Sequence, residues 1–389
     1  MKSVILAGGY GTRIRPLTLS VPKPLVDFCN RPVIEHQIQA CKNAGFDHVI
    51  IAVTEHHNIT EPIKNLAEKY SIRIDFSTES TPLGTAGPLR LAKDLICSDD
   101  DSDEFVVFNS DIICNYPLKE LLESHRKKSA KVTIMVTTVE NSSEFGVILH
   151  DENGLIKSFL EKPKNATSNT INAGVYVLSK EVLDHIPLKN YSIEKQFFPK
   201  YLKYNSSYIY KLNGFWSDIG KPTGYLNGQN LFLSHVQGSE ANSCKNNNDL
   251  KDGDFSPLIS AENSFETDSS YKSTETKFRH PVLIHPTGVI GNDCVIGPNV
   301  CIGPNVVIGD GCRILNSTLF KEVKVESYCY IADSIIGWRS LIKQWCRIEG
   351  LSVFGENVIV DESLYIRGCI VLPHKTINSS VYEDGRVII

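Results

Sequence analysis

Three cations, Arg13, Arg15 and Lys23, flank a glycine-rich turn, Gly8-Gly9-Tyr10-Gly11, near the start of a 389-residue chain. The backbone N–H groups of such a turn, together with guanidinium and ammonium side chains, converge naturally on a polyanion, so phosphate is the ligand chemistry to expect. Val4 to Ala7 is an apolar run leading straight into the turn. It reads as a buried strand ending where the backbone approaches its ligand closely. The spacing GGxGxR lacks the GK[ST] ending of a P-loop and the third glycine of the dinucleotide fingerprint, which removes both of those readings. A nucleotide held by another kind of phosphate-cradling loop is what is left.

A carboxylate is the next chemical group. Phe105-Val106-Val107-Phe108 runs into Asn109-Ser110-Asp111, and an acid at a strand end is either a turn cap or a hard metal ligand. On its own the cap is the commoner reading, and the ligand reading depends on the topology around it. Apolar spacing predicts helices over Pro32–Ala44, Ile59–Tyr70, Ala86–Leu95 and Leu118–Lys127, alternating with strands over His48–Val53, Ile72–Phe76, Glu104–Phe108 and Lys131–Thr137. Such alternation builds a mainly parallel sheet with helices on both faces, and its ligands sit at the carboxyl ends of the strands. Asp111 would then share an edge with the glycine turn and is the first expected metal ligand.

The length exceeds what one core holds, so two domains are expected. A net charge of −5 without a basic tail argues against nucleic-acid and acidic-membrane partners. Neither a leader pattern nor a bilayer-length apolar run is apparent, and eleven cysteines lie without CxxC pairs, which suggests reduced thiols and a cytoplasmic protein. From Gly238 to about Lys277 the composition turns to Ser, Asn, Asp, Glu and Thr, read as an insertion or tether. The acidic run Ser98–Glu104 lacks calcium-loop spacing and reads as solvated loop.

Beyond the tether, Ile284, Ile290, Ile296, Ile302, Ile308 and Ile314 recur every six residues, four of them followed by glycine. This period fits hexapeptide coils of a parallel β-helix, one aliphatic side chain per short strand pointing inward. The phase slips after Phe320 and returns at Ile336, Ile342, Ile348, Phe354, Val360 and Ile366, which implies a corner insertion or an irregular coil.

These pieces together resemble the sugar-nucleotide pyrophosphorylases, and among them the GDP-mannose pyrophosphorylase (mannose-1-phosphate guanylyltransferase) family, catalytic β-type. The resemblance is carried by Gly8 to Lys23, the segment Pro82 to Leu89, FLEKP, INAGVYVLS, SIEKQFFP, WSDIGKP and the tail from Gly337 to Lys375. It implies a Rossmann-like α/β nucleotidyltransferase domain over 1–235 and a left-handed parallel β-helix over 279–389; the polar linker read between them, 236–278, is longer than the resemblance leads one to expect. It also implies GTP and mannose 1-phosphate as substrates, GDP-mannose as product and Mg²⁺ as cofactor, with homo-oligomers formed through the β-helix or pairing with a regulatory subunit. By the same resemblance Asp111 and Asp218 hold the metal, Arg13, Lys23 and Lys162 neutralise phosphate, and Gly8, Gly9, Gly11, Thr12, Glu79, Gly84 and Thr85 contact the nucleotide. Gly146, Glu161, Lys162, Asn172 and Gly174 would form the sugar pocket.

Three rival readings differ in chemistry. One is a pyrophosphorylase for another sugar and nucleotide. Another is a hexapeptide acyltransferase using His285 or His374 as base. The third is a non-catalytic subunit that binds GDP-mannose, which could dispense with Arg13, Lys23, Asp111, Glu161, Lys162 or Asp218, all of which are present.

Overall fold

The computed structural model of the protein describes residues 1–55, 59–98, 102–165, 167–204, 206–243 and 276–389. Residues 244–275, most of the expected tether, lie outside the described residues, as do 99–101 of the acidic run. The described chain divides into two compact units: Met1–Tyr10 with Val33–Trp216, and Gly11–Pro32 with Ser217–Ile389.

The first unit is built on a nine-stranded sheet. Its strands are β1 (Lys2–Leu6), β2 (His48–Thr54), β3 (Arg73–Glu79), β4 (Glu104–Asn109), β5 (Val132–Thr138), β6 (Gly146–His150), β7 (Ile156–Glu161), β8 (Thr170–Ser179) and β9 (Ser207–Lys211). The order is β7-β6-β8-β4-β1-β2-β3, with β5 pairing both β8 and β9. Strand β1 is parallel to β2 and to β4, and β2 is parallel to β3. Strand β8 runs antiparallel to β4, β5 and β6. The sheet is therefore mixed, with its parallel half leading out of the glycine turn. Val4, Ile5, Ile50, Ile51, Val106 and Val107 are fully buried, the pattern of parallel strands covered on both faces. Helices α1 (Val33–Asn43), α2 (Thr60–Tyr70) and α3 (Leu118–Lys127) follow the expected spans. The helix expected over Ala86–Leu95 is instead two short ones, Gly87–Leu91 and Lys93–Cys97, because the backbone leaves helical geometry at Ala92 (φ −79°, ψ 4°).

The second unit combines helix α4 (Pro222–Ser243) with three stacks of short parallel strands, consistent with the left-handed β-helix. Val282 pairs with Val300 eighteen residues on, but Val300 pairs with Ser317 only seventeen on. The slip seen in the sequence is thus a corner one residue short. It falls earlier than Phe320: Leu319 takes the inward place five residues after Ile314, and Val325 and Ile331 continue the buried column. The same corner is short again between Ile331 and Ile336. Another corner turns on residues in the left-handed region, Asn305, Glu322, Arg339, Asn357 and His374, at φ 55°, 63°, 58°, 54° and 61°. Inside, the buried thiols of Cys294, Cys312, Cys329 and Cys346 donate to the carbonyls of Gly309, Glu326, Lys343 and Asp361 at 3.2, 3.2, 3.1 and 3.0 Å. Each coil satisfies the polar groups of the one before it.

An aromatic group backs the first unit's sheet. The Phe198 ring lies 5.3 Å from Phe159, 5.2 Å from Tyr176 and 5.7 Å from Phe197, with no exposure to solvent. Phe198→Ala should lower the stability of this unit by about 3–5 kcal/mol, the range for truncating a buried phenylalanine. Urea unfolding followed by near-UV circular dichroism measures it; an unchanged midpoint would show that the ring carries no such weight.

Candidate active site

Parallel pairing brings the ends of β1, β3 and β4 to one edge, so Gly8, Glu79 and Asp111 leave the sheet on the same side. A side chain on Gly8 would place its Cβ 2.8 Å from Glu79 Oε1, so glycine lets the turn pass beside that carboxylate without displacing it. Nothing lies within 4 Å of the Cβ direction of Gly9. Glu79 is largely buried, its Oε2 accepts the Leu83 N–H at 2.9 Å, and burial pushes its pKa up. Asp111 is half-buried just beyond β4, whose last carbonyl, at Asn109, accepts from Gln37 Nε2 at 2.9 Å.

The loop Pro82–Gly87 is docked on the segment Lys189–Glu194. Ala86 N–H donates to the Tyr191 carbonyl at 2.8 Å, and Gly84, at φ 75°, packs where a Cβ would meet that same oxygen at 2.7 Å. The Thr85 hydroxyl accepts from Ile193 N–H and donates to Glu194 Oε2, both at 2.8 Å. Gly84 and Thr85 therefore shape the loop, with the Thr85 hydroxyl already committed.

The expected sugar-pocket residues gather on β6, β7 and β8. Gly146 pairs with Glu161, and a Cβ on it would meet the Phe159 ring at 2.6 Å. Asn172 accepts from Gly174 N–H at 2.9 Å and donates to the Tyr176 hydroxyl at 2.8 Å. Gly174, at φ 76°, lets β8 bulge against Asn109 and Ile112, where a Cβ would sit 2.8 Å from Ile112. Lys162 Nζ lies 3.9 Å from Glu161 Oε1, and its own backbone takes φ 47°. Burial and the Glu194 carboxylate raise the Glu161 pKa, opposed by Lys162 and Lys195. Glu194 and Lys195 belong to a π-turn, Ile193–Phe197, that the sequence reading passed over. The SIEKQFFP stretch was the available signal, since π-turns concentrate at functional sites.

In the second unit the turn continues through Gly11, at φ 60°, whose carbonyl accepts from the Thr18 hydroxyl at 2.8 Å. A Cβ on Gly11 would meet Thr18 at 2.8 Å and Lys23 at 3.0 Å. Thr12 and Arg13 form a short 3₁₀ turn with Ile14, and Arg15 is exposed. Arg13 Nη1 stands 3.6 Å from Asp218 Oδ2, while Asp218 Oδ1 accepts the Gly220 N–H at 2.8 Å. Arg13 and Asp218 are thus neighbours despite their separation in sequence. Asp218 is a partly exposed carboxylate whose Oδ1 holds the Gly220 N–H, an oxygen donor of the kind a hard divalent cation takes. Among the described residues no three His, Cys, Asp or Glu side chains gather. A divalent ion here would rest on one or two carboxylates, with phosphate and water completing its shell. His285 and His374 are each occupied at Nδ1, by Thr287 at 2.9 Å and Asn357 at 3.3 Å.

Comparison with known proteins places the chain in a family. The nucleotidyl transferase family profile matches residues 2–235, and the GMPPB C-terminal domain profile matches 278–388. The mannose-1-phosphate guanylyltransferase catalytic subunit beta of Drosophila melanogaster is 44% identical over 98% of this chain and 96% of its own. Its namesake from Xenopus tropicalis is 43% identical over 98% and 99%. A crystal structure described as a glucose-1-phosphate thymidylyltransferase from Bacillus anthracis aligns with TM-score 0.52 and 21% identity over 65% of this chain and 98% of that one, a likeness of fold. Nucleotidyltransferases of this family generally use a divalent metal. The chain is an enzyme of the nucleotidyl transferase family and belongs to its mannose-1-phosphate guanylyltransferase branch.

Proposed function

We propose that the protein transfers the GMP group of GTP to mannose 1-phosphate, giving GDP-mannose and pyrophosphate. The full-length identity to proteins named for that reaction carries the reading. A phosphate oxygen of the sugar 1-phosphate attacks the α-phosphorus of GTP, and the bond from that phosphorus to the bridging oxygen of the β-phosphate breaks, so the electron pair leaves with pyrophosphate. The attacking oxygen is already ionised, and no general base is needed. What the enzyme supplies is alignment of two polyanions and positive charge where it develops.

Arg13 is assigned to the charge building on pyrophosphate, and Lys23 to the triphosphate or the attacking phosphate. Asp111 and Asp218 are the carboxylates assigned to Mg²⁺, which when bound supplies positive charge at the α-phosphate. Gly8, Gly9, Gly11 and Thr12 bring backbone to the phosphates. Glu79 is assigned to the guanine N1 and N2 donors, supported by its place beside Gly8. Glu161 accepts from sugar hydroxyls, Lys162 pairs with the sugar phosphate, and Gly146, Asn172 and Gly174 shape that pocket. The organisation we propose is catalytic over 1–235, linker over 236–278 and β-helix over 279–389, in a cytoplasmic protein that self-associates through the β-helix or pairs with a regulatory subunit. Among the described residues no helix is long and apolar enough to cross a membrane.

Pyrophosphate release measured with each nucleoside triphosphate against mannose or glucose 1-phosphate tests this directly. GTP with mannose 1-phosphate should be fastest, EDTA should abolish turnover, and Asp111→Ala or Asp218→Ala should lower kcat about a hundredfold or more without unfolding the protein. A carboxylate whose removal leaves the wild-type rate is not a metal ligand. Glu79→Gln should narrow the preference for GTP over UTP; an unchanged ratio of kcat/KM removes Glu79 from base reading. Because the Glu161 carboxyl is raised by burial and by Glu194, acidification protonates it at a higher pH than an ordinary glutamate. The KM for mannose 1-phosphate should accordingly rise on the acid side, and Glu194→Gln, which deletes the neighbouring negative charge, should move that rise to lower pH. A limb that does not move shows that Glu161 is not the titrating group.

A further inference from the structure

The loop that carries Arg13 and Lys23 belongs to the same compact unit as the β-helix, and four hydrogen bonds at three points tie the two together. Residues Asp27–Phe28 and Arg31–Pro32 form a minimal antiparallel hairpin whose turn, Cys29-Asn30, is left-handed at φ 48° and 64°. At the turn, Asn30 Nδ2 donates to the Ile302 carbonyl at 2.9 Å and Asn30 Oδ1 accepts from the Cys301 thiol at 3.2 Å. At the hairpin's start, the Trp338 indole N–H donates to Asp27 Oδ2 at 2.8 Å. Nearer the glycine turn, the Ser20 hydroxyl reaches Glu356.

Trp338 is tied into the coils on both sides. Its carbonyl accepts from Asn357 N–H at 2.8 Å on the following coil, while Arg339 N–H beside it donates to the Lys321 carbonyl at 3.0 Å on the preceding one. The indole is 7% exposed and stacks on Phe320 at 4.6 Å. Phe320 in turn meets Tyr225 edge-on at 6.2 Å, and the Tyr225 hydroxyl donates to the Asp27 carbonyl at 2.6 Å. Phe28 closes the group against Tyr225 and Phe232 at 5.3 and 5.8 Å. Asp27 is thus held at its side chain by a β-helix corner and at its backbone by α4. Lys23–Leu25 is a 3₁₀ turn that ends just before it.

We infer that Trp338 is a positioning residue for catalysis: through Asp27 it sets where the turn that carries Lys23 stands, so the β-helix is part of the catalytic apparatus as well as a stack of coils. This rests on the reading of Lys23 given above. A group that must meet a phosphate loses rate steeply when its support is loose by a fraction of an ångström.

The experiment compares Trp338→Phe, which keeps an aromatic face toward Phe320 but removes the N–H donor together with part of the indole ring, with Asp27→Ala and Asp27→Asn in the full chain. Trp338→Phe and Asp27→Ala should each lower kcat about tenfold. The KM for mannose 1-phosphate should stay within about twofold of wild type. Asp27→Asn, which retains a side-chain acceptor, should recover most of the rate, and the Trp338→Phe, Asp27→Ala double variant should be no slower than either single. Wild-type kcat in both single variants, or losses that multiply in the double, would overturn the inference. Should Trp338→Phe fail to fold, the Asp27 pair decides it alone. Amide hydrogen exchange supplies a readout independent of turnover: Trp338→Phe should speed exchange across residues 11–32, and unchanged protection there also overturns the inference. An inactive wild type with that exchange response intact would instead count against the proposed reaction.

Discussion

Everything in the first unit follows from the in-register parallel pairing of strand β1 with β2 on one side and β4 on the other. Parallel strands end on a common edge, and a fully buried pair of them must be apolar along its length. Polar function is therefore pushed past the last strand residue. Gly8, Glu79 and Asp111 emerge at that edge because no chemistry can be placed within Val4–Ile5 or Val106–Val107. The antiparallel addition of β8 then carries Asn172 and Gly174 to the end of β4.

The β-helix obeys a different constraint. Each coil must return its inward side chain onto the one before, so a corner can gain or lose a residue only where no inward position falls. The shortened turns between Ile314 and Leu319 and between Ile331 and Ile336 meet that condition and leave the buried column unbroken. The thiol-to-carbonyl ladder follows from the same stacking, since residues one coil apart meet the same kind of neighbour. One turn of this scaffold holds the hairpin at Asp27 through Trp338.

Charge is balanced locally rather than by a single dominant partner. Glu161 and Glu194 repel, and Lys162 and Lys195 offset them. In the second unit the Arg13–Asp218 pair is long at 3.6 Å. A partly exposed pair at that distance contributes little stability.

Read alone, the chain settles its local patterns. Apolar runs ending in glycine or acid predict the parallel strands, and the six-residue period predicts the β-helix, because each reflects burial of a residue against its immediate neighbours. Helix Ala86–Leu95 and the slip after Phe320 came out differently, since backbone geometry at Ala92 and the length of a corner depend on what packs outside the local stretch. The pairing of Thr85 with Glu194 spans 109 residues and that of Asp27 with Trp338 spans 311. No periodicity encodes such contacts: they arise only when separate elements, each stable in its own pattern, are packed together, and tertiary structure alone decides which polar atoms then lie within hydrogen-bond reach.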